Sequence, residues 1–307
     1  MTELAILYEH PQWFRPLFAA LDRRGVDHLA IPIQDHVFDP GDPTIPAPVV
    51  FNRLAMSSFL RQAEHATFHV QAALAHWELC GARVINGTAA LAIDSSKARQ
   101  LSLFRSLGLE IPATRVAHRR ADLVRAAAGL RFPVVVKVNI GGSGAGIVRY
   151  DTLEDLAAAA EEGSAPVGVD GVSLAQEYVP ARDGRVIRCE TLAGRFLYAI
   201  QLTGAGSTFD LCPADVCLVD KPTISIEAYT PPPEIIRAVE AVARAASLDI
   251  GGIEYMIDDR DGAARFYDIN ALSNFVADPM AVLGYDPHDR LVDVLVGEIA
   301  ARGGAAA

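Results

Sequence analysis

Basic residues are scarce in this chain: 27 Lys and Arg stand against 38 Asp and Glu, a net charge of −11. A nucleic-acid binder needs surplus cations to replace the counterions of the phosphate backbone, so no nucleic-acid partner is expected. The deficit leaves ATP open, because a few local cations and a metal ion can hold it. Long apolar runs are missing too. No stretch reaches the roughly 18 uninterrupted apolar residues of a membrane helix, so no membrane partner is expected. Met1 to Glu9 lacks a basic start and is interrupted by Glu3 and Glu9, which suits a first strand better than a signal peptide. Cysteines number four, Cys80, Cys189, Cys212 and Cys217, and their spacing fits no zinc pattern. A reduced, cytoplasmic setting is the expectation. With 51% hydrophobic and 21% charged residues over 307 positions, the chain can bury a sizeable core in two or three lobes.

Periodicity divides the chain at 1–93, 94–180 and 181–307. In the first part Leu4 to Tyr8, Leu29 to Ile33, Val49 to Phe51 and Val84–Ile85 read as strands. Helices are expected at Trp13 to Arg24 and at about Ser57 to Cys80, where Gly81 ends the pattern. This is the pattern of a small parallel α/β unit. In the second part Ser95 or Ser96 caps a helix from Lys97 to Leu107. Phe132 to Val138 and Gly146 to Tyr150 form a hairpin with a glycine-rich tip, and Leu153 to Glu162 has helical spacing. Leu174 to Val179 is a further strand. In the third part Arg185 to Leu192 and Arg195 to Leu202 flank an Ala193-Gly194 turn. Gln201 to Thr230 shows little regularity, a helix runs from Pro231 to Ala246 with a core-facing Ile235/Val239/Val242 stripe, and strands follow at Ile250 to Ile257 and Arg265 to Ile269. Arg290 to Ala301 closes the chain as a helix.

Two features carry chemistry. In Val134-Val135-Val136-Lys137-Val138 a lysine interrupts an apolar strand, where burial without an anion is costly. Just beyond it lie Gly141-Gly142-Ser143-Gly144-Ala145-Gly146, small enough for backbone N–H groups to approach phosphates. The plain alternative is an edge-strand lysine and a loose turn. No helix follows the glycines, so neither a Walker A loop nor a dinucleotide fingerprint is present. Far downstream, Asp268 and Asn270 are two apart and project from one face of a strand, and Glu254 joins them if the two strands pair through the Asp258–Gly262 turn. Two carboxylates and an amide oxygen are a hard-oxygen set suited to Mg²⁺. The plain alternative is a solvated face of an edge hairpin.

In order and separation these pieces resemble the ATP-grasp superfamily, in particular the RimK-type and glutathione-synthetase-like carboxylate–amine ligases, over nearly the whole chain. The resemblance rests on Val49 to Arg53, Gly81 to Asn86, Asp94 to Lys97 and Gly108 to Thr114. It continues through Phe132 to Lys137, the glycine loop, Gln176 to Val179, Arg188 and the Glu254/Asp268/Asn270 set. It implies ATP-grasp architecture: an N-terminal Rossmann-like lobe followed by two α+β lobes that grip ATP. It implies that Lys97 and Lys137 contact the phosphates under a lid of Gly141, Gly142, Ser143, Gly144, Ala145 and Gly146. Gln176, Glu177, Tyr178 and Val179 would run along adenine, with Asp183 also at the nucleotide. Arg188 would face the transferring phosphoryl group or the acyl phosphate, and Glu254, Asp268 and Asn270 would hold one or two Mg²⁺, or Mn²⁺ in their place. Two departures stand out. The family usually has Glu at the position of Asp268, and the segment Gly204 to Tyr229 lacks the expected glycine- and asparagine-bearing stretch.

The activity so implied is ATP-dependent joining of a carboxylate to an amine (or a thiol) through an acyl phosphate, on an amino acid, peptide or small metabolite. An ATP-grasp phosphotransferase and a non-catalytic nucleotide-binding regulator are the rivals. Asn52, Arg53 and Asn274 are substrate-side candidates, and His10 sits at another strand end. A homodimer is common in the resembled family. His65 and His69, four apart, could share a metal but read more simply as packing residues. Cys212 and Cys217 have nothing nearby that would activate them.

Overall fold

A computed structural model describes residues 2–61, 66–142, 144–204 and 224–303. The first lobe is a parallel sheet in the order β2-β1-β3-β4, from Leu4–Tyr8 (β1), Leu29–Pro32 (β2), Val49–Arg53 (β3) and Arg83–Ile85 (β4). β1 and β3 are buried on both faces, through Leu4 to Leu7 and Val49 to Phe51, as a covered parallel sheet requires. Helices Arg15–Arg23 (α1) and Ala66–Leu79 (α2) cover it. The long helix expected from Ser57 does not form there. Ser58–Leu60 is a single 3₁₀ turn, ended by the extended backbone of Arg61, whose guanidinium is committed to the Glu9 carboxylate.

Thr88–Asp94 (α3) and Lys97–Ser106 (α4) lead into the central lobe. α3 was not anticipated, because its short run carries no amphipathic pattern. The Ser96 hydroxyl caps α4 by accepting from the Arg99 N–H. The central sheet is antiparallel in the order β5-β8-β6-β7. Its strands are Thr114–Ala117 (β5), Val134–Val138 (β6), Ile147–Tyr150 (β7) and Ser173–Glu177 (β8). Leu123–Ala127 (α5) and Leu153–Glu162 (α6) back one face over a separate core around Val134, Val136 and Leu156.

The last lobe is a five-stranded antiparallel sheet, ordered β11-β10-β9-β12-β13. It comprises Arg185–Leu192 (β9), Arg195–Thr203 (β10), Ser225–Tyr229 (β11), Ile250–Ile257 (β12) and Ala264–Asn270 (β13). Helix Pro233–Ala245 (α7) packs behind it, and Pro279–Val282 (α8) and Pro287–Gly303 (α9) follow. β11 lies at the end of the segment read as irregular; pairing with β10 makes it a strand, which its polar sequence did not signal. Most of the expected substrate-side segment, residues 205–223 with Cys212 and Cys217, lies outside the described residues, as do Ser143 and His65. α9 begins at Pro287, earlier than expected, because proline suits the first helical position.

α9 does not stay with its own lobe. It packs on α1, where Arg23 pairs with Asp289 and Arg24 with Asp293. One hydrophobic core runs from Ile6, Leu17 and Phe51 through Ile200, Phe275, Val292 and Leu295, joining first and last lobes. Asn86 fastens this junction. Fully buried at φ +49°, its amide donates to the Ile250 and Ala271 carbonyls at 2.7 Å and accepts from the Asp249 N–H at 2.9 Å. Replacing it with alanine leaves those buried backbone groups unpaired, at about 1–3 kcal/mol for each group left unsatisfied. Asn86→Ala is therefore expected to lower the urea midpoint by an amount corresponding to roughly 3 kcal/mol, the high end for one substitution.

Candidate active site

Strand register sets out the site. Across three neighbouring strands Arg188 (β9) pairs with Glu254 (β12), and Glu254 pairs with Asp268 (β13). One row along, Glu190, Gly252 and Asn270 are opposite one another. Because side chains alternate along a strand, both rows share one face. The other face is core: Ile253, Tyr255, Phe266 and Ile269 are all buried. The solvated-hairpin alternative therefore fails. β12 is internal to the sheet, and the carboxylates sit in a cleft over an apolar layer.

The register shifts after Glu254, so that Glu254 pairs with Asp268 and Tyr255 with Phe266. Tyr267 is the extra residue of this bulge, which swings its side chain to the polar face. There its hydroxyl donates to Glu254 Oε2 at 2.8 Å. Asn270 Nδ2 lies 3.3 Å from Glu254 Oε1 and 3.2 Å from Asp268 Oδ2. Burial pushes the Glu254 carboxyl up, Arg188 opposes that, and Asp268 adds to it. Two carboxylates held together against their own repulsion, with an amide beside them, fit a divalent cation that Glu254, Asp268 and Asn270 would hold through their side-chain oxygens.

Arg188 crosses this face. Its Nε donates to Glu190 Oε1 at 2.6 Å and its Nη1 to Glu254 Oε1 at 3.0 Å. Burial works against the guanidinium, but Glu190 and Glu254 outweigh it and keep it charged. The route across the sheet is open because residue 252 is glycine. A Cβ there would lie 2.5 Å from Arg188 Nε and Nη2.

Lys97 and Lys137 arrive from the other lobe, and Asn139 brings them together. Just past β6, its side chain accepts from Ser96 Oγ and the Ala98 N–H, and its carbonyl accepts from the Lys97 N–H. The start of α4 is thereby pinned to the end of the strand carrying Lys137. Gln100, on the same helix, donates to the Ile269 carbonyl and accepts from the Ile269 N–H, which sets α4 against β13. Lys97 Nζ meets Asp268 Oδ1 at 2.5 Å. Burial disfavours its charge, yet Asp268 raises it overall. Lys137 differs. Its ammonium is 5.5 Å from the Tyr267 ring centroid and has no ion-pair partner among the described residues. Burial and then the Lys97 charge push it down to about 8. An ammonium with no anion among the described residues, beside two carboxylates paired to Lys97 and Arg188, fits a metal-bound polyphosphate. Among the described residues no cluster of three or more His, Cys, Asp or Glu offers another metal site.

The glycine loop folds back on β6: a Cβ on Gly141 or Gly146 would come within 2.7 Å of the Val138 side chain, and Gly144 and Gly146 have φ +68°. Gly142 abuts Ser57 of the first lobe. In the strand expected along adenine, Gln176 is buried and donates to Thr114 Oγ1, so its side chain is structural. The Glu177 carboxylate accepts from the Arg131 N–H, and Tyr178 N–H donates to the Pro133 carbonyl. Among the described residues the Val179 N–H donates to no backbone oxygen.

Several expected residues lie elsewhere or serve otherwise. Asp183 sits in an exposed turn at φ +55°, its carboxylate 3.7 Å from Arg185. Asn52 is buried, donates to the Asn86 carbonyl and accepts from the Leu54 N–H, which leaves it a structural residue. Arg53 and Asn274 do meet, at 3.0 Å. His10 stacks on Trp13, and His69 is hydrogen-bonded to His36 at 3.0 Å. Asn139, Glu190, Gly252 and Asp94 were not anticipated. Asp94 is pushed up to about 7 by burial while it accepts from the Ala271 N–H. One signal for the cations was available: the chain has three lysines, Lys97, Lys137 and Lys221, and two of them are here.

Among solved structures, a ligase called PsnB in complex with a minimal precursor superposes on 97% of this chain and 100% of its own, with a TM-score of 0.70 at 19% identity. A D-alanine–D-alanine ligase of Bacillus anthracis complexed with ATP does so over 99% of each chain, with a TM-score of 0.68 at 16% identity. The chain has the ATP-grasp fold. In sequence, a ribosomal protein bS6–L-glutamate ligase of Escherichia coli O7:K1 is 30% identical over 197 residues, 63% of this chain and 62% of that protein. A probable α-L-glutamate ligase of an Enterobacter species is 32% identical over 144 residues, 46% of each. The chain thus spans less than two thirds of the length of these curated relatives, and no family model matches it.

Gly252→Ala adds one methyl group where the Arg188 guanidinium now lies. It is expected to displace Arg188 and to reduce turnover by about a hundredfold, comparable to losing one charge-stabilising donor. Circular dichroism and an ADP-binding isotherm should be nearly unchanged. Wild-type turnover in this variant would show that the path of Arg188 across residue 252 is dispensable.

Proposed function

We propose that this ATP-grasp protein is a carboxylate–amine ligase that forms an acyl phosphate with ATP, releases ADP and joins the acyl group to an amine. The single observation that carries this reading is the convergence of Lys97, Lys137 and Arg188 on the Glu254/Asp268/Asn270 face. Three cations and a hard-oxygen set in one cleft suit a triphosphate and a carboxylate that must approach each other despite like charge. The names of the sequence relatives, glutamate ligases both, support an amino acid as the amine; the PsnB complex, with a precursor bound, supports a peptide as the carboxylate carrier.

Lys137 holds phosphate oxygens, and binding them supplies the anion its burial calls for. Lys97 shifts between Asp268 and the nucleotide. Glu254, Asp268 and Asn270 would hold one or two Mg²⁺, with Mn²⁺ as a substitute, which would neutralise charge on the phosphate oxygens. Arg188, oriented by Glu190 and Glu254, faces the carboxylate as it attacks the γ-phosphoryl group and then steadies the tetrahedral centre formed when the amine attacks. The glycine loop, resting on Ser57, excludes water that would hydrolyse the acyl phosphate. No covalent enzyme intermediate is needed. No helix among the described residues is long and apolar enough to cross a membrane, and Cys80 and Cys189 are free thiols, which supports a reducing, cytoplasmic setting.

An ADP-release assay over amino acids and short peptides, with mass spectrometry of the product, tests the reading. A condensed product with stoichiometric ADP and phosphate is expected. A phosphorylated product would make the protein a phosphotransferase instead. Lys137→Ala and Asp268→Ala should each remain folded and lose at least about a hundredfold in turnover; a variant with wild-type turnover removes that residue from the site.

A further inference from the structure

Beside the phosphate-facing set, two buried charged side chains keep hydrogen-bonding atoms that find no partner among the described residues. Arg53 ends β3 at 2% exposure. Its Nη2 donates to the Ser273 carbonyl and to Asn274 Oδ1, both neutral acceptors. Its Nε and Nη1 have no partner among the described residues. The rings of Phe14 and Phe51 cover the guanidinium at 5.1 and 4.9 Å. Burial pushes it down to about 9, and only the charge of Glu190 resists. Glu190, at 1% exposure, is the counterpart. Its Oε1 accepts from Arg188, while Oε2 has no partner among the described residues. Arg53 and Glu190 feel each other's charge yet share no hydrogen bond. In a purely structural role a buried arginine and a buried glutamate that feel each other's charge would close into an ion pair, because each pays desolvation whether or not it is paired.

We propose that Arg53 and Glu190 together read the zwitterionic head of a free α-amino acid, Arg53 taking its carboxylate and Glu190 Oε2 its ammonium. The inference deepens the ligase reading and rests on it. Opposite charges on two neighbouring groups, each with hydrogen-bonding atoms open among the described residues, are the complement of an α-amino acid. Glu190 also lies next to Arg188, whose other contact is Glu254, so the nitrogen would be delivered to the face where an activated carboxylate is attacked. Asn274 keeps Arg53 aimed by holding Nη2. It is partly exposed and marks the side from which a substrate enters. A peptide amine or a simple alkylamine lacks the adjacent carboxylate and would leave Arg53 unpaired.

The test is thermal shift and calorimetry on the full chain, first with ADP and Mg²⁺, then with added proteinogenic amino acids and their α-carboxamides. At least one amino acid is expected to raise the melting temperature of the nucleotide-loaded protein and to bind roughly a hundredfold tighter than its α-amide, the usual loss for one buried charge contact. Arg53→Gln should keep the nucleotide-dependent shift and lose the preference for acid over amide, and Arg53→Lys should regain part of it. Glu190→Gln should lose the preference for the free amino acid over its N-acetyl form. The proposal is overturned if acid and amide bind the wild type alike, if no amino acid adds to the nucleotide shift, or if Arg53→Gln still discriminates. The wild-type comparison stands alone should a variant fail to fold. Absence of any ADP–Mg²⁺ shift in the wild type would contradict the ligase reading itself, which is a separate outcome.

Discussion

Lys97 and Lys137 are held side by side, next to Glu254 and Asp268, where water screens them poorly. Lys97 satisfies itself on Asp268 at 2.5 Å; Lys137 has no ion-pair partner among the described residues and is pushed down to about 8 by burial and the Lys97 charge. Burial of this kind is costly unless a ligand completes the charge pattern. Much of the structure around the cleft serves to keep these groups in place against their mutual repulsion.

That work is divided among residues with no charge of their own. Asn139 clamps the start of α4 to β6 and fixes the distance between the two lysines. Gln100 locks α4 to β13, so Lys97 cannot drift from Asp268. The bulge at Tyr267 adds a hydroxyl to the polar face, and Gly252 leaves room for Arg188. Asn86 and the shared apolar core tie the first lobe to the last, which leaves the central lobe, with its own core, as the part that the cleft divides from the rest.

The strands were legible because each one that matters carries an apolar period, and β1, β6, β9 and β12 lie close to where that period puts them. The grouping of Glu254, Asp268 and Asn270 was legible because Asp268 and Asn270 share a face whatever the surroundings. Less could be read where tertiary contacts override local pattern. Ser57 to Arg61 continues a helical pattern, but Arg61 is taken by Glu9 and the chain extends. β11 is a strand only because β10 lies beside it. Asn52 looked like a substrate residue at a strand end and is instead consumed by backbone groups. Glu190 and Gly252 gave no signal at all, since their roles depend on the path of one arginine across the sheet.

The central claim, that a metal-bound polyphosphate supplies the anion missing from Lys137, is tested most directly by counting protons on binding. A phosphate beside the ammonium must raise its pKa, so ADP–Mg²⁺ binding near pH 8 takes up protons. In isothermal calorimetry across buffers of different ionisation enthalpy, the expected slope is about half a proton taken up per site near pH 8, falling toward zero at pH 6 and absent in Lys137→Arg. Binding that is independent of buffer near pH 8, or an unchanged proton count in Lys137→Arg, would contradict the account.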